Sequence, residues 1–383
     1  MRIRNGRILT PGGVLEGHDL VVAKGRIQAL EIPGGGGRVV LDAQGLWIAP
    51  GLIDIHIHGA LGYDVMDATA SALGRVARYL ARHGVTSWLP TTMSASREAI
   101  DAAIANVASC PQPQEGAQHL GAHVEGPYLC QRYRGAQASE ALRPPDPEEY
   151  DAWLQGGIVR LITVAPELPG ADRLIAAGRR VGIEFAIGHS GADYETVLKA
   201  VDCGLRQATH TFNGMAGLHH RQPGTLGAVL DERRILAQLI GDGLHVHPAV
   251  LRLLLRAKGR DKVILISDAM RATGLGDGDF ELGGQAVTVR EGEARTLEGA
   301  LAGSTVTLDE VLRRVMRYAD LTLPQALPMA SGVPAAAMGL AGRKGTLQVG
   351  ADADIILLDD DARVQLTLVG GRVVHDRSGV MKL

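Results

Sequence analysis

From Gly51 onward, short runs of apolar residues alternate with longer segments in which apolar positions recur three and four residues apart. The first spacing suits buried strands and the second amphipathic helices. Leu52–His56 precedes a helical pattern over Ala70–His83, Val85–Pro90 precedes Ser96–Ala108, and Leu120–Glu125 precedes Pro147–Leu154. The alternation continues with Val159–Ala165 and Ala171–Val181, Glu184–His189 and Asp193–Cys203, then Gln207–His210 and Gly224–Asp231. It closes with Ile235–Asp242 and His247–Ala257, and with Lys262–Asp268, whose helix is Ser304–Tyr318. Eight strand–helix repeats predict an α/β fold, a parallel (β/α)8 TIM barrel over residues 51–339.

The two ends of the chain follow a different pattern. Ile3–Leu9, Asp19–Ala23 and Gly25–Leu30 read as short strands rich in β-branched residues, and Gly34–Gly37 as a turn without the Lys and Ser of a phosphate loop. Ala353–Asp359 and Val364–Val374 are also strand-like, with Gly370-Gly371 as a hairpin turn. Neither end is long enough for its own core. Residues 1–50 and 340–383 are therefore expected to pack together as one small β-sandwich domain.

Composition narrows the class. The chain has 383 residues, 46% of them hydrophobic, which allows a large core. A net charge of −3 gives no reason to expect a nucleic-acid partner. Three unpaired-looking cysteines, Cys110, Cys130 and Cys203, fit a reducing compartment. The N-terminus lacks the apolar stretch of a signal peptide, and no apolar run is long enough for a bilayer. A cytoplasmic protein with no membrane partner is expected.

The candidate chemistry lies at the strand ends. His56 and His58 share one face of the first strand, Glu125 ends the third, His189 the fifth, His210 the sixth and Asp268 the eighth. The C-terminal ends of parallel barrel strands all open on one mouth. Each residue alone has an ordinary structural reading; Asp268, for instance, would serve as a helix N-cap. Four imidazoles and two carboxylates around one mouth instead make a site for one or two divalent metals. Nitrogen and oxygen donors without cysteine suit Zn, Fe, Mn or Co. Glu125 has two oxygens with which to bridge a metal pair. A metal lowers the pKa of its water to about 7, and Asp268 is placed to carry the proton away.

With these residues the chain resembles the amidohydrolase superfamily, and within it the N-acetylglucosamine-6-phosphate deacetylase family. The motifs are Gly51-Leu52-Ile53-Asp54-Ile55-His56-Ile57-His58-Gly59, Val124-Glu125-Gly126-Pro127, Gly188-His189-Ser190 and Thr209-His210-Thr211-Phe212-Asn213-Gly214-Met215. Asp242–Pro248, Ser267-Asp268-Ala269-Met270, Leu301–Ser304 and Gly345-Thr346-Leu347 also fit. The resemblance implies hydrolysis of the acetamide of an amino-sugar 6-phosphate. It implies Glu125, His189 and His210 as ligands of the main metal, His56 and His58 as ligands of a second, and Asp268 as general acid/base at the metal. It implies substrate contacts from Asn213, the backbone of Gly214 and His245. Arg221 matches an arginine that reaches the phosphate in the neighbouring subunit's site, which implies a homodimer.

One position departs from the family pattern. Where members carry a histidine that polarises the acetyl carbonyl, this chain has Gln137, a neutral N–H donor. His219 and His220 are the nearby candidates to compensate. Two competing readings stay open. One is the same chemistry on N-acetylgalactosamine 6-phosphate or an N-acyl amino acid. The other is a barrel that has lost catalysis and serves as a scaffold.

Overall fold

The computed structural model describes residues 1–34 and 40–377; apart from Gly34, the glycine turn expected at 34–37 lies outside them. The strands that carry the site are Leu52–Ile57 (β1), Val85–Pro90 (β2), Ala122–Glu125 (β3), Val159–Val164 (β4), Glu184–Ile187 (β5), Gln207–Ala208 (β6), Leu236–Ile240 (β7) and Val263–Ile266 (β8). β3 to β8 form one parallel sheet in sequence order, and β1 and β2 pair in parallel in a second, with Gln118–His119 on the free edge of β2. Two seams join the sheets. Thr91 bridges His123 and the Thr92 N–H donates to the His123 carbonyl at 3.0 Å. On the other side the Asp268 N–H donates to the His56 carbonyl at 3.0 Å and the His58 N–H to the Ala269 carbonyl at 2.9 Å. The second seam brings Asp268 beside the histidines of β1.

The strands are covered on both faces, which explains their near-continuous apolar sequences. Ile264 and Ile266 of β8 join Leu161, Ala186, Ile240, Ile53 and Ile55 in one buried cluster. Their neighbours Val263, Leu265, Ile162, Val164 and Leu239 pack into a larger cluster with the helices. The helix Ala70–Arg82 is typical: Thr69 caps its N-terminus, and Leu73, Val76, Ala77 and Leu80 form its buried stripe. Each large apolar side chain buried in this way contributes about 1.5–3 kcal/mol.

Three expectations need correction. The strand expected over Ile3–Leu9 is two strands, Arg2–Arg4 and Arg7–Thr10, in different sheets. Asn5, at φ +55°, breaks the run with left-handed backbone that asparagine tolerates. The helix expected from Ser304 begins at Leu308, because Ser304 bridges Ala269 and its hydroxyl donates to the Ser267 carbonyl at 2.6 Å. The third concerns Arg271–Leu282, which lies in the stretch between Asp268 and Ser304 to which the sequence pattern assigns neither strand nor helix. Its last residues instead form the first strand of a three-stranded antiparallel sheet, Gly278–Leu282, Gln285–Arg290 and Glu293–Thr296. Leu282, Val287, Val289 and Ala294 of this sheet pack with Met93 and Met270, so it leans on the mouth. The alternation Val287-Thr288-Val289 was the available signal.

Both chain ends enter one six-stranded sheet, in the order 372–376, 364–369, 355–358, 47–50, 7–10, 13–15. Residues 370 and 371 turn the hairpin between its last two strands at φ +54° and +75°. A four-stranded sheet of residues 26–31, 19–23, 2–4 and 40–42 lies against it. Ile3, Ile8, Leu20, Ile27, Ile48, Ile355, Leu357 and Leu366 are buried together between them.

Lys344 connects this region to the strands of the site. Its ammonium donates to Asp354 at 2.5 Å and to Gln118 at 3.4 Å, and Lys344 and Asp354 are each only 4% exposed. Removing one partner of a buried pair leaves the other charge uncompensated. Lys344→Ala is expected to destabilise the protein by about 3 kcal/mol, measured by denaturant unfolding, with Lys344→Ala/Asp354→Ala recovering part of that loss.

Candidate metal centre

Each candidate ligand sits where a strand ends and the chain turns. His56 is in β1 and His58 directly follows it. Glu125 is the last residue of β3. Gly126 follows at φ +77°, where a Cβ would lie 2.1 Å from the Ser94 hydroxyl, so glycine is required. His189 lies two residues past β5, and His210 and Asp268 two past β6 and β8. These three have left-handed backbone, at φ +47°, +27° and +49°. Such conformations cost about 1–3 kcal/mol each in non-glycine residues and cluster at functional sites. His210 was expected to end its strand. The strand stops at Ala208 because the chain turns at His210 and the Thr211 N–H pairs with the Gln238 carbonyl.

The six side chains meet. Glu125 Oε1 is 3.1 Å from His189 Nε2 and 3.0 Å from His210 Nε2. Glu125 Oε2 is 3.4 Å from His56 Nε2 and 3.2 Å from His58 Nε2. Asp268 Oδ1 faces the second pair, 3.3 Å from His56 and 3.2 Å from His58. One carboxylate thus presents a different oxygen to each histidine pair.

The remaining imidazole nitrogens show which atoms face the centre. His58 Nδ1 is 3.1 Å from the Thr91 carbonyl, His189 Nδ1 2.9 Å from that of Tyr133, and His210 Nδ1 3.2 Å from that of Asn213. A carbonyl only accepts, so Nδ1 carries the proton and Nε2 turns a lone pair inward. Two sets of donors lie close enough to hold a cation: His56, His58 and Glu125, and Glu125, His189 and His210. Tetrahedral bonds of about 2.0–2.1 Å place neighbouring ligand atoms about 3.3 Å apart, close to the separations here. The residues fit divalent metal.

The electrostatics agree. Burial raises the Glu125 pKa, but His56, His189 and His210 more than offset it and hold the carboxyl well below its usual range. Burial likewise opposes ionisation of Asp268, and His56 and His58 overcome it, again lowering the pKa. Burial lowers the His58 pKa, yet Asp268 and Glu125 lift it well above the ordinary value. The centre keeps its carboxylates ionised and calls for positive charge, which a cation supplies on displacing protons.

A cavity of about 230 Å³ opens on these groups and is also lined by Gln137, Asn213, Gly214 and His245. Gln137 Oε1 accepts from the Ser94 N–H at 2.8 Å, which leaves its NH2 as the donor side. His245 Nδ1 is 2.7 Å from Asp242 Oδ2, and Asp242 Oδ1 accepts the N–H groups of Leu244 and His245 at 2.9 Å. Burial opposes charge on His245, but Asp242 raises its pKa. Gly214, at φ +60°, leaves the space in which a Cβ would meet His189 Nδ1 at 2.8 Å.

Arg221, His219 and His220 do not line this cavity. They lie on an exposed loop, with the two ring centres 4.4 Å apart and tilted by 39°, and Arg221 Nη1 2.7 Å from His220 Nε2. His219 and His220 therefore do not compensate for Gln137 within the chain.

Sequence reasoning missed three supporting residues. His123 is fully buried, with its ring edge-on to His56 at 4.8 Å and Nε2 2.8 Å from the Thr163 hydroxyl. Burial and the neighbouring His56 push its pKa well down. It lies two positions before Glu125, so strand alternation was a usable signal. Asp54 Oδ1 accepts the N–H groups of His56 and Ser267, both at 3.3 Å, and burial pushes its pKa up to about 6. Asp242 holds His245, and its place in Asp-Gly-Leu-His was the visible cue.

Two histidine pairs sharing one carboxylate at the C-terminal ends of parallel strands define a metal-dependent hydrolase. The profile of the amidohydrolase family matches residues 47–374. The chain is 41% identical to an N-acetylglucosamine-6-phosphate deacetylase of Vibrio furnissii, over 86% of this chain and 83% of that protein. It is 37% identical to an N-acetylgalactosamine-6-phosphate deacetylase of Escherichia coli O157:H7, over 97% and 98%. Among solved structures, the N-acetylglucosamine-6-phosphate deacetylase of Pasteurella multocida superposes with a TM-score of 0.92 at 30% identity, covering 97% of this chain and 98% of that one. A Mycobacterium smegmatis mutant in complex with N-acetyl-D-glucosamine-6-phosphate gives 0.90 at 31% identity, covering 98% and 99%. The chain belongs to the amidohydrolase family and, within it, to the N-acetylglucosamine-6-phosphate deacetylase family.

Gly214→Ala is expected to push His189 away from Glu125. Loss of such support costs about 10–100-fold in metal affinity, and chelator competition measures it; unchanged affinity would show that His189 can shift without consequence.

Proposed function

We propose that this chain hydrolyses N-acetyl-D-glucosamine 6-phosphate to D-glucosamine 6-phosphate and acetate. The observation that carries this reading is the Glu125 carboxylate between two histidine pairs, with Asp268 beside one of them. Glu125, His189 and His210 would hold the main ion and His56 and His58 a second, so that one or two of Zn, Fe, Mn or Co are bound. When bound, such an ion supplies a water acidified to a pKa of about 7 and polarises the acetyl carbonyl.

The chain's own groups do the rest. Asp268 accepts the proton lost by the attacking water and returns it to the sugar nitrogen as the C–N bond breaks. The NH2 of Gln137 donates to the acetyl oxygen as negative charge develops there. Its carbonyl is already bonded to the Ser94 N–H, so the amide is oriented beforehand. His245, oriented by Asp242, and Asn213 with Gly214 bind the sugar phosphate. Arg221, outside its own cavity, is assigned to the phosphate in a partner's site, which makes the enzyme a homodimer. We assign residues 51–339 to the (β/α)8 barrel that holds the centre, and the described residues of 1–50 and 340–383 to the small β-sandwich. Among the described residues no helix is long and apolar enough to cross a membrane, and we place the enzyme in the cytoplasm.

The 37% identity to an N-acetylgalactosamine-6-phosphate deacetylase supports a second substrate reading. Acetate release from both hexosamine 6-phosphates and from their unphosphorylated forms decides between them. A higher kcat/KM for the glucosamine derivative is expected, and equal turnover without phosphate would refute both. Asp268→Asn is expected to lower kcat by about 10²–10⁴-fold with metal content unchanged; retained turnover would remove it as proton carrier. Arg221→Ala is expected to raise KM about tenfold for phosphorylated substrates alone, in keeping with the strength of guanidinium–phosphate pairing.

A further inference from the structure

A second polar cavity lies away from the Glu125 centre. The helix Ala70–Arg82 packs against the strands Val364–Val369 and Arg372–Asp376. Where the helix Leu308–Ala319 approaches them, a cavity of about 360 Å³ is left, lined by Arg82, Arg313, Arg363 and Arg377 with His83 and His375. Asp309 is the single carboxylate in the lining. It is already engaged, 3.1 Å from His83 Nδ1, 2.6 Å from Arg313 and 2.5 Å from the Thr307 hydroxyl. Arg363 is 4.0 Å from the exposed Asp361, and Arg82 and Arg377 make no ion pair within 4.0 Å among the described residues.

Four guanidiniums therefore surround one space with one carboxylate among them. They come from four places in the sequence, so tertiary folding alone assembles them. Guanidinium is charged at every physiological pH, and its planar fork matches phosphate oxygens. The positive field also reaches His375, whose pKa is lowered by burial and by Arg82, His83 and Arg377. The neutral ring then offers a donor without adding repulsion. The cleft is open to solvent, and its volume suits a single phosphate group with a small body.

We propose that this cavity is a binding site for a phosphate dianion, free or as the monoester of a small molecule, separate from the catalytic mouth. The ligand bridges a helix of the parallel-strand region and the C-terminal strands, so its binding joins the two and raises Tm.

The test uses the full-length, metal-loaded enzyme at low ionic strength in chloride buffer. Inorganic phosphate and glucose 6-phosphate are titrated separately, with binding read by calorimetry and Tm. Arg82→Gln/Arg363→Gln is expected to weaken one binding event at least tenfold and abolish the accompanying Tm shift, while kcat/KM changes less than twofold. Binding at the catalytic mouth persists in both proteins and is thereby separated. Tighter binding of the ester identifies a phosphorylated metabolite, and tighter binding of phosphate identifies the free ion. Identical isotherms in wild type and variant overturn the proposal. Should the double variant fold poorly, Arg377→Gln, at an exposed position, provides the same comparison.

Discussion

The mouth is organised around the carboxylate of Glu125, which is 1% exposed and divided between two pairs of imidazoles. A carboxylate buried so deeply carries a desolvation cost of several kcal/mol unless it is paired and hydrogen-bonded. Four Nε2 atoms at 3.0–3.4 Å would hold beside it the cations that supply the pairing. Backbone carbonyls hold three of those rings from behind, so the lone pairs that face Glu125 are set by the main chain.

Placing the partners has its own energetic cost. His189, His210 and Asp268 all have left-handed backbone, together several kcal/mol at about 1–3 each. Apparent binding energies of about 10 kcal/mol or more at histidine- and thiolate-lined zinc sites exceed that sum. The strain is thus supportable in a protein loaded with metal, while the apolar strands beneath hold the geometry between binding events. The same reasoning explains the polar second layer. His123 is kept neutral by burial and by its neighbour His56, so it packs against His56 without adding charge to a site meant for a cation.

The walls of the mouth come from parts of the chain with no ligand in them. The antiparallel sheet after β8 brings Leu282 to the cavity, and the segment leading from it to the next helix brings Leu301 and Gly303. Apolar walls around a polar floor exclude water and strengthen the electrostatics of the groups inside. At the far side, Lys344 and Asp354 join the sheets of the chain ends to β2 through Gln118, which pairs alongside it.

Taken by itself, the sequence was sufficient for the eight parallel strands, the helices that cover them and the six ligand candidates. Strand and helix periodicities are local, and parallel topology forces every strand's C-terminal end to one side. The hairpin at Gly370-Gly371 was legible for the same local reason. Tertiary structure alone decided which Glu125 oxygen faces which histidines and that Gln137 is pinned by Ser94. It also decided that His219 and His220 stand apart from the cavity. These outcomes depend on differences of a few tenths of an ångström in the separations of residues tens to hundreds of positions apart. No local pattern encodes such distances, because they are set by how whole strands pack.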